Sequence, residues 1–286
     1  MPNPTDDAKC KVAADWTRDL TIQGWRKWQP EMHAGSEETS RLIINLGGID
    51  SGMRVLDLAS GSGDPALSIA HVVGGEGHVI ATDMSEGMLR IAQDCAEKEG
   101  LGNLSFRVAD MEQLPFEDAS FDRVTCRFGI MFVPDHVRAM REMLRVLKPG
   151  GKVVLVCWAH WDQPFHAGNI AIIKRGLGPA PPPGTQALTP FRFQEAGTLG
   201  TAMRQAGLEN VQEQECRVPW DFPGSAKRFW EMWYDIAAPY RSIIDGLEPK
   251  EREEFVREVL EVWTPRENGP FLHLGVRIVV GVGEKA

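Results

Sequence analysis

The stretch VLDLASGSGDPA, residues 55–66, carries the fold in miniature. Arg54 to Ala59 is a short apolar run of the kind that forms a buried strand. Gly61 and Gly63 follow, and Pro65 to Val73 reads as a helix with Asp64 as its N-cap and Pro65 at its first position. Glycines at such a strand-to-helix turn let the backbone bend tightly and approach a ligand closely. The spelling Gly61-x-Gly63-x-x-Ala66 also satisfies the dinucleotide fingerprint, so the turn alone leaves the nucleotide open. Asp57 stands inside the strand, ahead of the turn. A carboxylate there is costly to bury unless something pairs with it. A cationic ligand would do so, whereas a pyrophosphate would be repelled.

Downstream, strands and helices keep alternating. His78 to Thr82 is a second strand and Ser85 to Glu99 a helix with Met88, Ile91, Ala92 and Cys95 on its apolar face. Leu104–Val108 and Phe121–Cys126 are the third and fourth strands. Pro134 to Leu147 is a helix ended by LKPGG (147–151), and Lys152 to Trp158 is the fifth strand. Five such repeats imply a parallel sheet covered on both faces, with right-handed crossovers. Val211–Val218 and Phe271–Val282 add two strands. The expected fold is therefore α/β, a Rossmann-like doubly wound and mostly parallel seven-stranded sheet, with an N-terminal helical cap and a helical insertion before the last strand. Asp83 ends the second strand, 20 residues after Gly63, where it can take two ribose hydroxyls. Asp110 ends the third, where it can accept from an exocyclic amine such as that of adenine. Acids at successive strand ends suit a ligand with a ribose, an amine and no phosphate, a description that S-adenosyl-L-methionine fits.

The segments VLDLASGSGD (55–64), ATDMSEGML (81–89), ADMEQLPFEDASFD (109–122), RFGIMFVPD (127–135) and LRVLKPGGKVV (144–154) together resemble the class I S-adenosylmethionine-dependent methyltransferases. The resemblance is greatest to the branch of the ubiquinone/menaquinone-biosynthesis (type 11) enzymes, and it is specific over about residues 50–160. It implies that Asp57, Ala59, Ser60, Gly61 and Gly63 hold the methionine part of the cofactor. It places the ribose on Asp83, the adenine against Met84, and the adenine edge on Asp110 and Met111. The backbone of Arg127 and Phe128 would meet the cofactor's amino group. S-adenosyl-L-homocysteine would be the product. The family's usual first glycine is Ala59 here.

Composition narrows the partners. Lys and Arg total 31 against 40 Asp and Glu, a net charge of −9. An acidic chain argues against a general nucleic-acid coat, which needs a basic face. CRFG (126–129) also lacks the signatures of base methyltransferases. The partner expected is a small-molecule methyl acceptor. The longest apolar runs, such as Val153 to Ala159, fall short of the roughly 20 residues that span a bilayer. Cys10, Cys95, Cys126, Cys157 and Cys216 are scattered and form no CxxC pair, which fits reduced thiols in a cytoplasmic protein and no metal site.

None of the nine tryptophans lies between residues 29 and 157. The aromatic flanks therefore surround a plain core. The expected divisions are a helical cap at 1–48, a cofactor-binding core at 49–218 with a proline-rich lid at 160–198, a helical aromatic insertion at 219–269, and a final strand at 270–286. Acceptor contacts are expected from Trp25, Trp28, Met131, Trp158, Trp161, Trp230 and Trp233, with most tryptophans packing the flanks. His160, just after the fifth strand, is the candidate base. Two rivals remain open: an NAD(P)-dependent oxidoreductase using the same turn, and a cofactor-binding protein without transfer activity.

Overall fold

The computed structural model describes residues 4–182, 184–185 and 187–286, and of residues 4–8, 11, 238 and 239 the backbone alone. Positions 183 and 186 of the predicted proline-rich lid, and the first three residues of the predicted cap, lie outside the described residues.

The chain opens with α1 (Pro4–Thr17) and α2 (Asp19–Gly47), then enters the sheet. The core runs β1 (Arg54–Leu58), α3 (Ala66–Val73), β2 (His78–Asp83), α4 (Glu86–Glu99), β3 (Leu104–Val108), β4 (Phe121–Arg127), α5 (His136–Val146) and β5 (Leu147–Trp158). It continues with α6 (Ala167–Lys174), α7 (Thr198–Gln205), β6 (Glu209–Pro223), α8 (Ala226–Ile236), α9 (Ala238–Asp245), α10 (Pro249–Trp263), a two-residue β7 (Glu267–Asn268) and β8 (Phe271–Glu284). The order across the sheet is β3-β2-β1-β4-β5-β8-β6. The first five are parallel; β8 is antiparallel to both β5 and β6.

Strand periodicity decides what lies on each face. On β5, Val153, Leu155 and Cys157 enter one apolar layer with α5 and α7, while Val154 and Val156 enter another with α2, α6, α8 and α10. On β1, Leu56 and Leu58 share the first layer, and Val55 points instead to α3 and a third cluster. Asp57 alternates with Leu56 and Leu58, so it lies on the face that α2 and α3 cover.

Several boundaries differ from the sequence reading. LKPGG does not separate α5 from β5, because the strand already starts at Leu147. Gly150 at φ +74° and an irregular register between Phe121 and Arg123 absorb the distortion. Strand β6 runs to Pro223, so the first residues of the expected 219–269 insertion are strand, and α8, α9 and α10 follow within that stretch. Helix α6 occupies part of the stretch read as a lid. Beyond residues 217 and 277, β6 and β8 continue past β5 as a two-stranded ribbon. Its inward residues Trp220, Phe222, Leu272 and Leu274 pack under α2 and α8. Among the described residues no helix is long and apolar enough to cross a membrane, and the five cysteines are free thiols.

Helix α2 approaches the sheet closely because its inward face there is built of small residues: Gly35, Ser36, Thr39 and Ser40 are all buried. A Cβ on Gly35 would sit 2.4 Å from the indole nitrogen of Trp220. The cap can therefore lie directly over the C-terminal strand tips, where open α/β sheets bind ligands.

Candidate active site

At the tip of β1, Asp57 is fully buried. Its Oδ1 accepts from Thr125 Oγ1 of neighbouring β4 at 2.6 Å, while its Oδ2 is buried with no partner. Its main-chain carbonyl accepts from the hydroxyls of Ser60 and Thr82. Burial pushes the Asp57 carboxyl up to about 6, against the Thr125 bond and the nearby Arg127 charge, which act the other way. In the unfolded chain the group titrates near its ordinary value, so between about pH 4 and 6 the folded state holds a proton that the unfolded state has lost. Stability from this group is therefore present at low pH and lost as pH rises through 6. Urea midpoints of the ligand-free protein should show Asp57→Asn gaining about 1–2 kcal/mol on wild type between pH 5 and 7.5; a pH-independent difference refutes the strain.

The turn after β1 is held from β2. Asp83 Oδ2 accepts the Gly61 N–H at 3.0 Å and Oδ1 the Ser85 N–H at 2.8 Å, and burial raises its carboxyl. Ser85 caps α4 through its hydroxyl. Ala59 occupies the left-handed region at φ +53°, where glycine is ordinarily preferred. Room for the Ala59 methyl comes from Gly129, where a Cβ would lie 2.4 Å from that of Ala59. Asp64 is not the cap of α3, because Pro65 takes that position. Instead Asp64, 9% exposed, accepts at Oδ2 from or pairs with Nδ1 of His33 on α2 at 2.8 Å. That contact raises the His33 imidazole, so the cap is tied to the glycine turn by a carboxylate–imidazole pair.

Asp110, at the tip of β3, is ion-paired to Lys9 of α1, and its Oδ1 accepts the Glu112 N–H at 3.0 Å. Glu112, which the sequence presents as a solvated turn residue, is 5% exposed and bridges Lys9 at 3.1 Å to the Asp135 N–H at 3.1 Å. The leading helix thus closes over the third strand tip by charge. Met84 is 40% exposed beside this edge, and Met111 packs partly buried beneath it.

Arg127 ends β4 on the same face as Thr125 and Asp57. Its recorded side-chain bond is to Ser40 Oγ of α2 at 3.4 Å. Phe128 follows in the left-handed region at φ +57° and stacks on Trp158 at 3.9 Å and 8°. Trp158 meets His166 edge-on at 4.9 Å. His166 is buried, burial lowers its imidazole to about 3, and its Nε2 has no partner. Trp25 also buries an unpartnered indole N–H, close to Trp16 at 6.1 Å.

The candidate acceptor residues divide. Trp158 and Trp25 are partly buried around the strand tips, and Trp161 is partly buried against His160. Trp230 is stacked on Trp233 at 5.5 Å within the α8 packing. Trp28, Met131 and Trp233 are enclosed by protein at 1%, 0% and 6% exposure. Trp28 donates to Asp235 at 2.8 Å, so these three pack the structure and offer no surface to an acceptor. His160 is exposed, and its Nδ1 accepts the Asp162 N–H at 3.2 Å, which makes it a turn residue. Cys126 is buried, with its thiol pushed up to about 12 by burial, which makes it inert. Among the described residues no group of His, Cys, Asp or Glu could hold a metal ion. A cleft of about 1080 Å³ lies along α10, lined by Leu247, Arg252, Val256 and Leu260, and shares no residue with the strand tips.

Residues 36–168 match the sequence model of the ubiE/COQ5 methyltransferase family. That segment is similar to the core of the S-adenosylmethionine-dependent methyltransferases of this family. Over 117 residues the chain is 43% identical to the ubiquinone/menaquinone biosynthesis C-methyltransferase UbiE of Idiomarina loihiensis, covering 41% of this chain and 47% of that protein. The UbiE of Pseudomonas entomophila is 45% identical over 117 residues, 41% and 46% of the two chains. The chain thus spans about half the length of the curated relatives it matches. The YcgJ protein of Bacillus subtilis shares the fold with a TM-score of 0.56 and 24% identity, covering 87% of this chain and 98% of that one.

Proposed function

We propose that the protein transfers the methyl group of S-adenosylmethionine to a small apolar or aromatic acceptor by direct displacement. The observation that carries this reading is the unpartnered Oδ2 of Asp57, a buried acceptor beside the glycine turn. A cationic ligand group would satisfy it, and an anionic pyrophosphate would not. When bound, the cofactor supplies the activated methyl. The chain supplies position, charge and exclusion of water.

In this reading Asp57, Ala59, Ser60, Gly61 and Gly63 surround the methionine part, and Asp83 takes the ribose with Met84 against the adenine. Asp110 accepts from the adenine amine through lone pairs left over from Lys9 and Glu112, beside Met111. The backbone at Arg127 and Phe128 faces the amino group. Trp25, Trp158 and Trp161, with Trp230 behind them, wall the acceptor. No base is assigned to His160, whose nitrogen serves its own turn. A quinone-like ring, the substrate class in the name of the UbiE relatives, is the first acceptor to try.

Calorimetric titration tests the reading. S-adenosylhomocysteine is expected to bind and NADP to give no heat. Heat from NADP alone overturns it in favour of an oxidoreductase. Methyl transfer from labelled donor to an aromatic acceptor panel then separates an enzyme from a binding protein, since binding without turnover across the panel would reject catalysis.

A further inference from the structure

Among the described residues Arg127 is a cation with no ion-pair partner. It stands at the tip of β4, partly buried under α2, and among the described residues no carboxylate lies within ion-pair distance of it. Its neighbours are already committed. Asp57 Oδ1 is bonded to Thr125, and Asp64 Oδ2 to His33. The free Oδ2 of Asp57 is not reached by the guanidinium either, although both lie on one face of the sheet. Among the described residues its one side-chain partner is the neutral Ser40 hydroxyl, at a long 3.4 Å. A desolvated guanidinium stays charged and is expensive to leave unpaired. Burial lowers the Arg127 group, while Asp64 and Asp57 offset this only at a distance. Next to it in the chain, Phe128 and Trp158 form a stacked pair with a flat face.

We propose that Arg127 is an anion receptor in the active site, its forked N–H groups holding a carboxylate, phenolate or enolate oxygen of a bound molecule. This rests on the reading of the site as a methyltransferase. Two molecules could bring such an oxygen: an acidic aromatic acceptor lying along Phe128 and Trp158, or the cofactor through its own carboxylate. Either way the site sorts charge, with acids at the tips of β1, β2 and β3 and a cation at the tip of β4. Arginine suits this because its planar fork matches paired oxygens.

The experiment compares wild type, Arg127→Gln and Arg127→Lys by calorimetry. The probes are S-adenosylhomocysteine, 5′-methylthioadenosine (which lacks the amino acid), and, on the protein saturated with S-adenosylhomocysteine, benzoate and 4-nitrophenolate against benzamide and nitrobenzene. A charged hydrogen-bonding site predicts a loss of about 10- to 100-fold in the Gln variant, partly restored by Lys. If the loss falls on benzoate or nitrophenolate and spares the neutral pair, the anion belongs to the acceptor. If it falls on S-adenosylhomocysteine and spares methylthioadenosine, it belongs to the cofactor. If Arg127→Gln, still folded by circular dichroism, binds every probe as wild type does, the proposal is overturned. Should Arg127→Gln fail to fold, Arg127→Met carries the same comparison, and affinities unchanged for every probe overturn it. Failure of wild type to bind S-adenosylhomocysteine would instead reject the methyltransferase reading itself.

Discussion

Replacing Asp83 with alanine is expected to weaken S-adenosylhomocysteine binding by about a hundredfold, because two hydrogen bonds to a charged acceptor, worth about 1.5–3 kcal/mol each, are lost together. The side chain also organises the apo site. Its two oxygens fix the Gly61 and Ser85 amides, so alanine loosens the glycine turn and the start of α4 as well. Asp83→Asn separates these roles. Asparagine retains a carbonyl oxygen for one of the two amides, turns its NH2 toward the other, and offers a donor where a ribose hydroxyl would give its proton. The expected pattern is a thermal midpoint below that of wild type for Asn, which keeps one of the two amide bonds, a lowered one also for Ala, which keeps neither, and weakened ligand binding in both. Equal affinity across wild type, Asn and Ala in calorimetry would remove the ribose assignment.

The second large effect is on stability. Trp220 is 1% exposed and central to the cluster that joins the ribbon to α2 and α8, with Phe165 edge-on at 5.0 Å and Trp158 at 6.4 Å. Trp220→Ala leaves a large cavity and is expected to cost about 3–5 kcal/mol. Its indole N–H, however, is buried with no partner and abuts Gly35. Trp220→Phe deletes that unsatisfied donor along with part of the ring, so its cost should be far smaller, since two terms oppose. Urea denaturation followed by circular dichroism at constant ligand-free conditions reads both. A Phe variant as unstable as Ala would show that the N–H is satisfied by water, and a stable Ala variant would show that the cap closes over the gap.

The alternating core was legible because its signals are local. A buried strand, a glycine turn and an amphipathic helix each announce themselves within about ten residues. The strand-tip acids Asp57, Asp83 and Asp110 follow from the same grammar. The pairs that shape the site do not. Lys9 meets Asp110 across 101 positions, and His33 meets Asp64 across 31. Nothing in the helical pattern around His33 sets it apart from a solvated face residue. His160 and His166 show the limit most directly: both follow β5, yet one caps an exposed turn and the other is sealed among Trp158, Phe165 and Phe191. Burial is a property of what packs above a residue, and Phe191, which meets His166 edge-on at 4.8 Å, comes from further along the chain. Proline and glycine also misled once. LKPGG reads as a stop, but a bulged strand entry uses the same residues.

Strand β8 belongs to two structures at once. Its second half is hydrogen-bonded to β5 in the nucleotide sheet, and its first half, with β6, floors the aromatic region under the cap. A single continuous beam therefore couples the two. Grafting the aromatic region of this chain onto a relative would need that beam to travel with it, and a loosening introduced at Phe271 or Leu272 would act on the same fourteen-residue strand whose far half pairs with β5.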